Sequence, residues 1–408
     1  MCQSCSPQPP VVPNPKDPRL NKPIPTPTLS LKQALDNAYK VEQANLEPVT
    51  NAINGFALKD KKAAISIWAI DNDDNHFYGA RNDADMDFSA SLLKMAAMYA
   101  AYDLRCAAIQ FIKDNNDSFT DQNSFSTAFS NSIDTSNAVT LLQKFTKGLK
   151  PNVKSIFKGF NSSGPNKLDF IKNPTQIHTP SQGFGLDMDD MIIVSDDEAA
   201  SRCIQAIGYS YINVSLMKGD FFNSSTMKGI WLAGDYESAL QYFRVPCDND
   251  TVAGGSAQAT TTYAMGWLIL LIDNLEALPQ VTDNGERSSS NMEMRTRFRQ
   301  AASWFSNGGS VVHVTEALKF SVLGAKVGVA GLGVGGNGPP VISEGSIVNW
   351  TDPDSPVTTF NTKFQTNLSG RFCFCWQNMY KPGSTNDFHC FDSLVRVLNA
   401  TVTSFLTQ

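Results

Sequence analysis

The sequence predicts an α+β fold, with an antiparallel sheet built from both chain ends plus a large helical block. Three observations predict it. An alternating hairpin pattern stands near the start, three strand patterns stand after residue 320, and between them lie stretches of helical period that are apolar on several sides.

Residues 1–29 are set apart by composition. Nine of the 21 prolines lie at or before Pro27, so this stretch reads as a Pro-rich tether without a core of its own. Ordered structure is expected over 30–408. Ser30-Leu-Lys-Gln33 is a capping box, followed by Leu31, Leu35, Ala38 and Val41 at helical spacing. Residues 62–70 alternate and carry Ile65, Ile67, Trp68 and Ile70. An Asn/Asp-rich turn follows at 71–75, then a second strand at 76–80, which makes a hairpin. Residues 88–104 read as one helix, apolar all round and therefore central.

The middle of the chain is less regular. Residues 115–185 form a long Asn/Ser-rich insert with weak helical patches, such as 138–145. A helix is expected over 189–207, opening at Ser195. An irregular segment spans 223–258, and an apolar helix 260–275. Strands at 325–340, 345–350 and 371–380 and an amphipathic helix at 388–406 close the chain.

Composition narrows the function classes. The chain has 408 residues, 33 Lys+Arg and 39 Asp+Glu, for a net charge of −6. Nothing in that balance favours nucleic acid, and none is expected as a partner. Forty-two per cent apolar residues exclude a wholly disordered chain. The longest apolar run, 263–272, is half of what a membrane-spanning helix needs, so no transmembrane segment is expected. Cys373, Cys375, His389 and Cys390 cluster, but no Cys-x-x-Cys pair is present. No metal and no cofactor are expected.

The chemistry starts at Ser91-Leu-Leu-Lys94, a hydroxyl at a helix start and an amine one turn later. Free N–H groups at a helix start favour a developing oxyanion, and burial lowers a lysine toward a pKa at which it acts as a base. Ser155-x-x-Lys158, Ser215-x-x-Lys218 and Ser225-x-x-Lys228 share the tetrapeptide. Ser91 differs from them in context, at the mouth of a buried helix directly after a hairpin.

Two further motifs follow in order, Ser195-Asp196-Asp197 and Lys326-Val327-Gly328. The ordered set resembles the Ser-x-x-Lys, Ser-Asp-Asn and Lys-Thr-Gly motifs of class A β-lactamases and penicillin-binding proteins. The resemblance covers 30–408 in element order, with 115–185 as an atypical insert. It implies a β-lactamase/transpeptidase-like fold, with Ser91 as nucleophile, Lys94 as its proton acceptor, and Ser195 as a proton shuttle to the leaving group. It also implies Lys326 as a positive charge beside that path, and an oxyanion hole from the N–H groups of Ser91 and Val329. Asp197, Val327 and Gly328 fall on substrate-binding positions. Glu237-Ser-Ala-Leu240-Gln241 is similar to the loop whose glutamate activates water in class A enzymes, with Asp235 a rival.

The sequence also departs from that pattern. Val327 stands where the family has threonine, and Val329 occupies the next hydroxyl position. Asp197 replaces an asparagine, an acceptor in place of a donor. A competing glycine pattern, Gly331-x-Gly-x-x-Gly336, is followed by Asn337-Gly-Pro-Pro340, where a dinucleotide site needs a helix.

Two functions remain open from sequence. One is a serine hydrolase or acyltransferase acting on a small-molecule or peptide-like amide or ester through an acyl-enzyme on Ser91, and not an efficient penicillinase. The other is a non-catalytic ligand- or cell-wall-binding protein on the same fold. Secretion or attachment at the cell envelope is expected, with Cys2 a possible lipid anchor; a cytoplasmic location stays open.

Overall fold

The computed structural model describes residues 30–46, 63–70, 76–115, 119, 121–133, 150–158, 168–172, 183–236, 243–248, 255–278, 284–301, 303, 319–331, 340–352, 369–378 and 389–406. The Pro-rich tether, the patch at 138–145, Glu237 and most of the glycine-rich stretch 331–336 lie outside them.

A five-stranded antiparallel sheet runs in the order β2-β1-β10-β9-β8. Its strands are β1 (Ala64–Ile70), β2 (His76–Arg81), β8 (Phe320–Gly331), β9 (Pro340–Thr351) and β10 (Ser369–Gln377). Strand β1 pairs with β10, Ile67 opposite Phe374, so the two ends of the chain meet in the middle of the sheet. Period-2 alternation sorts the side chains between two cores. Ile65, Ile67, Ala69, Phe372, Phe374 and Trp376 enter one core; Trp68, Ile70, Cys373 and Cys375 enter the other.

The first core is closed by the terminal helices α1 (Leu31–Leu46) and α10 (His389–Leu406), through Leu31, Leu35, Leu394, Leu398 and Phe405. The capping box forms as the sequence predicts: Gln33 N–H donates to Ser30 Oγ at 3.2 Å and Ser30 N–H to Gln33 Oε1 at 2.9 Å. Arg396 donates to Glu42 at 2.8 Å, joining the two helices.

The second core holds the helical block. Its centre is α2 (Lys94–Asp114), with α3 (Gln122–Ser132), α4 (Val153–Ile156), the two-residue strands β3 (Phe157–Lys158) and β4 (Asp169–Phe170), and α5 (Phe184–Asp189) packed around it. Helices α6 (Asp197–Ile207) and α7 (Tyr209–Lys218) follow. A small sheet of β5 (Phe222–Asn223), β6 (Lys228–Leu232) and β7 (Gln258–Thr260) leads to α8 (Thr262–Asp273) and α9 (Asn284–Gln300). Helix α8 approaches β1 closely; a Cβ on Gly266 would lie 2.2 Å from the Trp68 ring.

Two local expectations are corrected, and one helix lies where the sequence reading placed no element. The apolar helix starts at Lys94, and Ser91 sits on a separate 3₁₀ turn, Ala90–Leu93. Strand β6 runs through the segment read as irregular, its Ile230, Trp231 and Leu232 fully buried against α7 and β7. Helix α9 has no counterpart in the sequence reading, because its apolar stripe is thin: Met294 and Phe298 are buried beside Ser290 and Asn291.

Candidate active site

The turn carrying Ser91 is held from three sides. Ala90, its first residue, has φ +50°, a left-handed conformation that a non-glycine residue keeps only under constraint. Tyr236 Oη donates to Ala90 O at 3.0 Å, and Ser343 Oγ on β9 donates to Ser89 O at 2.7 Å. The edge strand β8 presses on the same turn at Gly328, where a Cβ would lie 2.3 Å from Ser89 O and 2.8 Å from Leu92 N. Ser91 itself is half-buried, and among the described residues its Oγ makes no hydrogen bond.

Lys94 is fully buried at the start of α2. Its amine does not turn back to Ser91. It donates to Ser195 O at 2.6 Å, Asp197 Oδ1 at 2.5 Å and, more weakly, Ser195 Oγ at 3.3 Å. The Tyr236 ring lies 4.7 Å away on a cation–π approach. Burial holds the Lys94 amine below the ordinary lysine value, opposed by the Asp197 carboxylate.

Ser195 does not open a helix, contrary to the sequence expectation. Asp196 caps α6, accepting from Ala199 N–H at 2.6 Å, and Asp197 is the first helical residue. Ser195 terminates a π-type turn, Asp190–Val194, with φ +64° and ψ +33°. That left-handed conformation leaves its carbonyl and its hydroxyl both in reach of Lys94. Lys326 comes from the opposite side, on β8, 1% exposed, with Nζ 2.5 Å from Ser195 Oγ. Burial, with Lys94 adding to it and Asp197 opposing, pushes the Lys326 amine down to about 7.

The remaining predicted residues divide. Asp197, on a substrate-binding position in the resemblance, gives its carboxylate to Lys94 while staying largely exposed. Val327 is partly buried, Gly328 is the contact with the Ser91 turn, and Val329 is 48% exposed on the edge strand. Asp235, the rival for water activation, is tied down by Gln205 at 3.0 Å and Tyr209 at 3.1 Å. Glu237 lies outside the described residues.

Sequence reasoning missed Tyr236 and Ser343. Tyr236 sits between the two carboxylates weighed as water activators, in a segment without periodicity. Ser343 carries no local signal, since only the pairing of β9 beside β8 brings it to Ser89.

No family model matches the chain, and no curated protein matches it. Solved structures with a similar chain path include a β-lactamase from Chitinophaga pinensis, at 11% identity and TM-score 0.46, covering 89% of this chain and 99% of that one. A protein named PBP-A matches at 11% identity and TM-score 0.43, over 92% and 97% of the two chains. A β-lactamase from Burkholderia phymatum matches at 10% identity and TM-score 0.41, over 91% and 99%. In fold the chain resembles these proteins.

Proposed function

We propose that the chain is a serine acyl-transfer enzyme that attacks an amide or ester carbonyl with Ser91 and passes through an acyl-enzyme. One observation carries the reading: two buried lysines, Lys94 and Lys326, converge on the Ser195 hydroxyl next to the constrained Ser91 turn. Burying two amines costs several kcal/mol unless their charge is compensated or one sheds its proton. A proton-transfer centre gives that arrangement a use.

In this reading the N–H groups of Ser91 and Val329 hold the oxyanion, which the contact of Gly328 with the turn favours. Glu237 keeps its proposed place as the group that activates water for deacylation. Asp235 loses it, because Gln205 and Tyr209 already occupy its carboxylate. The substrate is a neutral amide or ester. Val327 and Val329 bring no hydroxyl to a substrate carboxylate, and Asp197, paired with Lys94, offers an acceptor where an amide would donate.

A fluorophosphonate probe tests the proposal, read by intact mass and peptide mapping. A single adduct on Ser91, absent from Ser91→Ala, is expected. Labelling is not expected at the other Ser-x-x-Lys serines, whose hydroxyls are already engaged: Ser155 with Asn152 O, Ser215 with Ile212 O and Ser225 with Asn223 Oδ1. Absence of any adduct favours the non-catalytic binding protein. That second reading draws on Lys94, whose amine is committed to Asp197 and Ser195 and not to Ser91.

A further inference from the structure

We infer that Lys326, acting through the Ser195 hydroxyl, is the terminal acceptor of the Ser91 proton, and that Asp197 fixes Lys94 as an ammonium that only supplies charge. The inference rests on the acyl-transfer reading above and reverses the roles that the motif resemblance gives the two lysines.

The unequal charge partners of the two amines lead to it. Lys94 faces a carbonyl oxygen, Ser195 O at 2.6 Å, and a carboxylate oxygen, Asp197 Oδ1 at 2.5 Å. Both only accept, and an ammonium serves both while sending its third proton toward Ser195 Oγ at 3.3 Å. Lys326 has different company. Its described partners are Ser195 Oγ at 2.5 Å and, at 3.5 Å, Val327 O, and among the described residues it pairs with no carboxylate. The charged groups facing it are Lys94, which repels a second positive charge, and Asp197, already bound to Lys94; Asp196 stands beyond, next to Lys94. Ser195 has one proton to give, and the nearer amine at 2.5 Å is the one placed to accept it. A buried cluster with two amines and one carboxylate sheds its proton at the amine without the carboxylate.

The step balances. Once substrate is bound, Ser91 Oγ bonds to the substrate carbonyl carbon while its proton passes, directly or over one bridging water, to Ser195 Oγ. The Ser195 proton passes in the same event to the lone pair of neutral Lys326, and the C=O π pair moves onto the carbonyl oxygen. On collapse the bond to the leaving group breaks, and the proton returns from Lys326 through Ser195 to that group.

The rate of Ser91 labelling by a neutral fluorophosphonate, followed from pH 5 to 9, tests this. Wild type is expected to gain rate through one ionisation near neutrality. Lys326→Arg keeps the charge and removes the base; it should lose about a hundredfold or more at pH 8, together with the ionisation. Lys94→Arg should lose less and keep the ionisation. If the ionisation survives in Lys326→Arg, or vanishes in Lys94→Arg, the inference is overturned while the acyl-transfer reading stands. If wild type takes no label on Ser91, that reading falls and the inference with it. Where an arginine variant melts well below wild type, Lys326→Met replaces Lys326→Arg with the same expectation, and Lys94→Met replaces Lys94→Arg, with the ionisation kept but moved to higher pH because the repelling charge is gone and Asp197 is released.

Discussion

Lys94 and Lys326 reach one hydroxyl from opposite sides, with Nζ 3.3 Å and 2.5 Å from Ser195 Oγ, and among the described residues Lys94 alone of the two has a carboxylate partner. The asymmetry sets the two amines apart electrostatically. Two equivalent amines around one serine would titrate together, whereas an ion pair on one side leaves the other to change charge near neutral pH.

Gly328→Ala should damage the site more than the fold. Its new Cβ would overlap Ser89 O and crowd Leu92 N, both on the turn that carries Ser91. Overpacking of this kind costs about 1–3 kcal/mol. Thermal melting should report a loss in that range, and labelling of Ser91 should fall at least tenfold. Unchanged labelling would show that the turn does not depend on contact with β8.

Substrate preference should run against anionic β-lactams. Each absent hydrogen bond to a substrate carboxylate is worth roughly 1.5–3 kcal/mol, so two absent hydroxyls weaken transition-state binding by about a hundredfold or more. Val327→Thr combined with Asp197→Asn should raise kcat/KM for a penicillin relative to a neutral ester. A wild-type kcat/KM for penicillin above about 10⁵ M⁻¹s⁻¹ would contradict the argument.

Asp87 should make the protein less stable as pH rises. It is fully buried, and burial pushes its carboxyl up to about 7, with Asp85 and Asp248 adding to the push and Asn378 and Lys228 opposing it. Between the ordinary carboxyl value of 3.8 and about 7, the folded state holds a proton that the unfolded state has released. Its contribution is therefore complete below pH 3.8 and lost as pH climbs through 7, a difference on the order of 4 kcal/mol. Urea denaturation at pH 5 and pH 8 should show wild type losing stability across that interval. Asp87→Asn, which has no charge to bury, should lose markedly less.

Much of the scaffold was legible because it is written in local periodicity. The Ser30–Gln33 box, the alternation through Ile65, Ile67 and Ile70, and the all-round apolar run after Lys94 each concern neighbours along the chain. The spacing of Ser91 and Lys94 is local too, and so is the substitution of Asp197 for an amide. Helix α9 escaped because most of its length is polar and two apolar residues anchor it, Phe298 packing where β8 has Gly324.

What Lys94 and Ser195 do to each other was decided by tertiary structure alone. They stand 101 residues apart, and Ser195 and Lys326 a further 131. Their meeting depends on β8 taking the edge of the sheet, on Gly328 letting that strand reach the Ser91 turn, and on the left-handed backbone at Ser195. The sequence by itself determined that two lysines and an aspartate were present in a motif order. Which lysine the aspartate neutralises is a matter of distances of a few ångströms around two buried amines, where Coulomb energies exceed those in bulk water, and only the folded chain sets those distances.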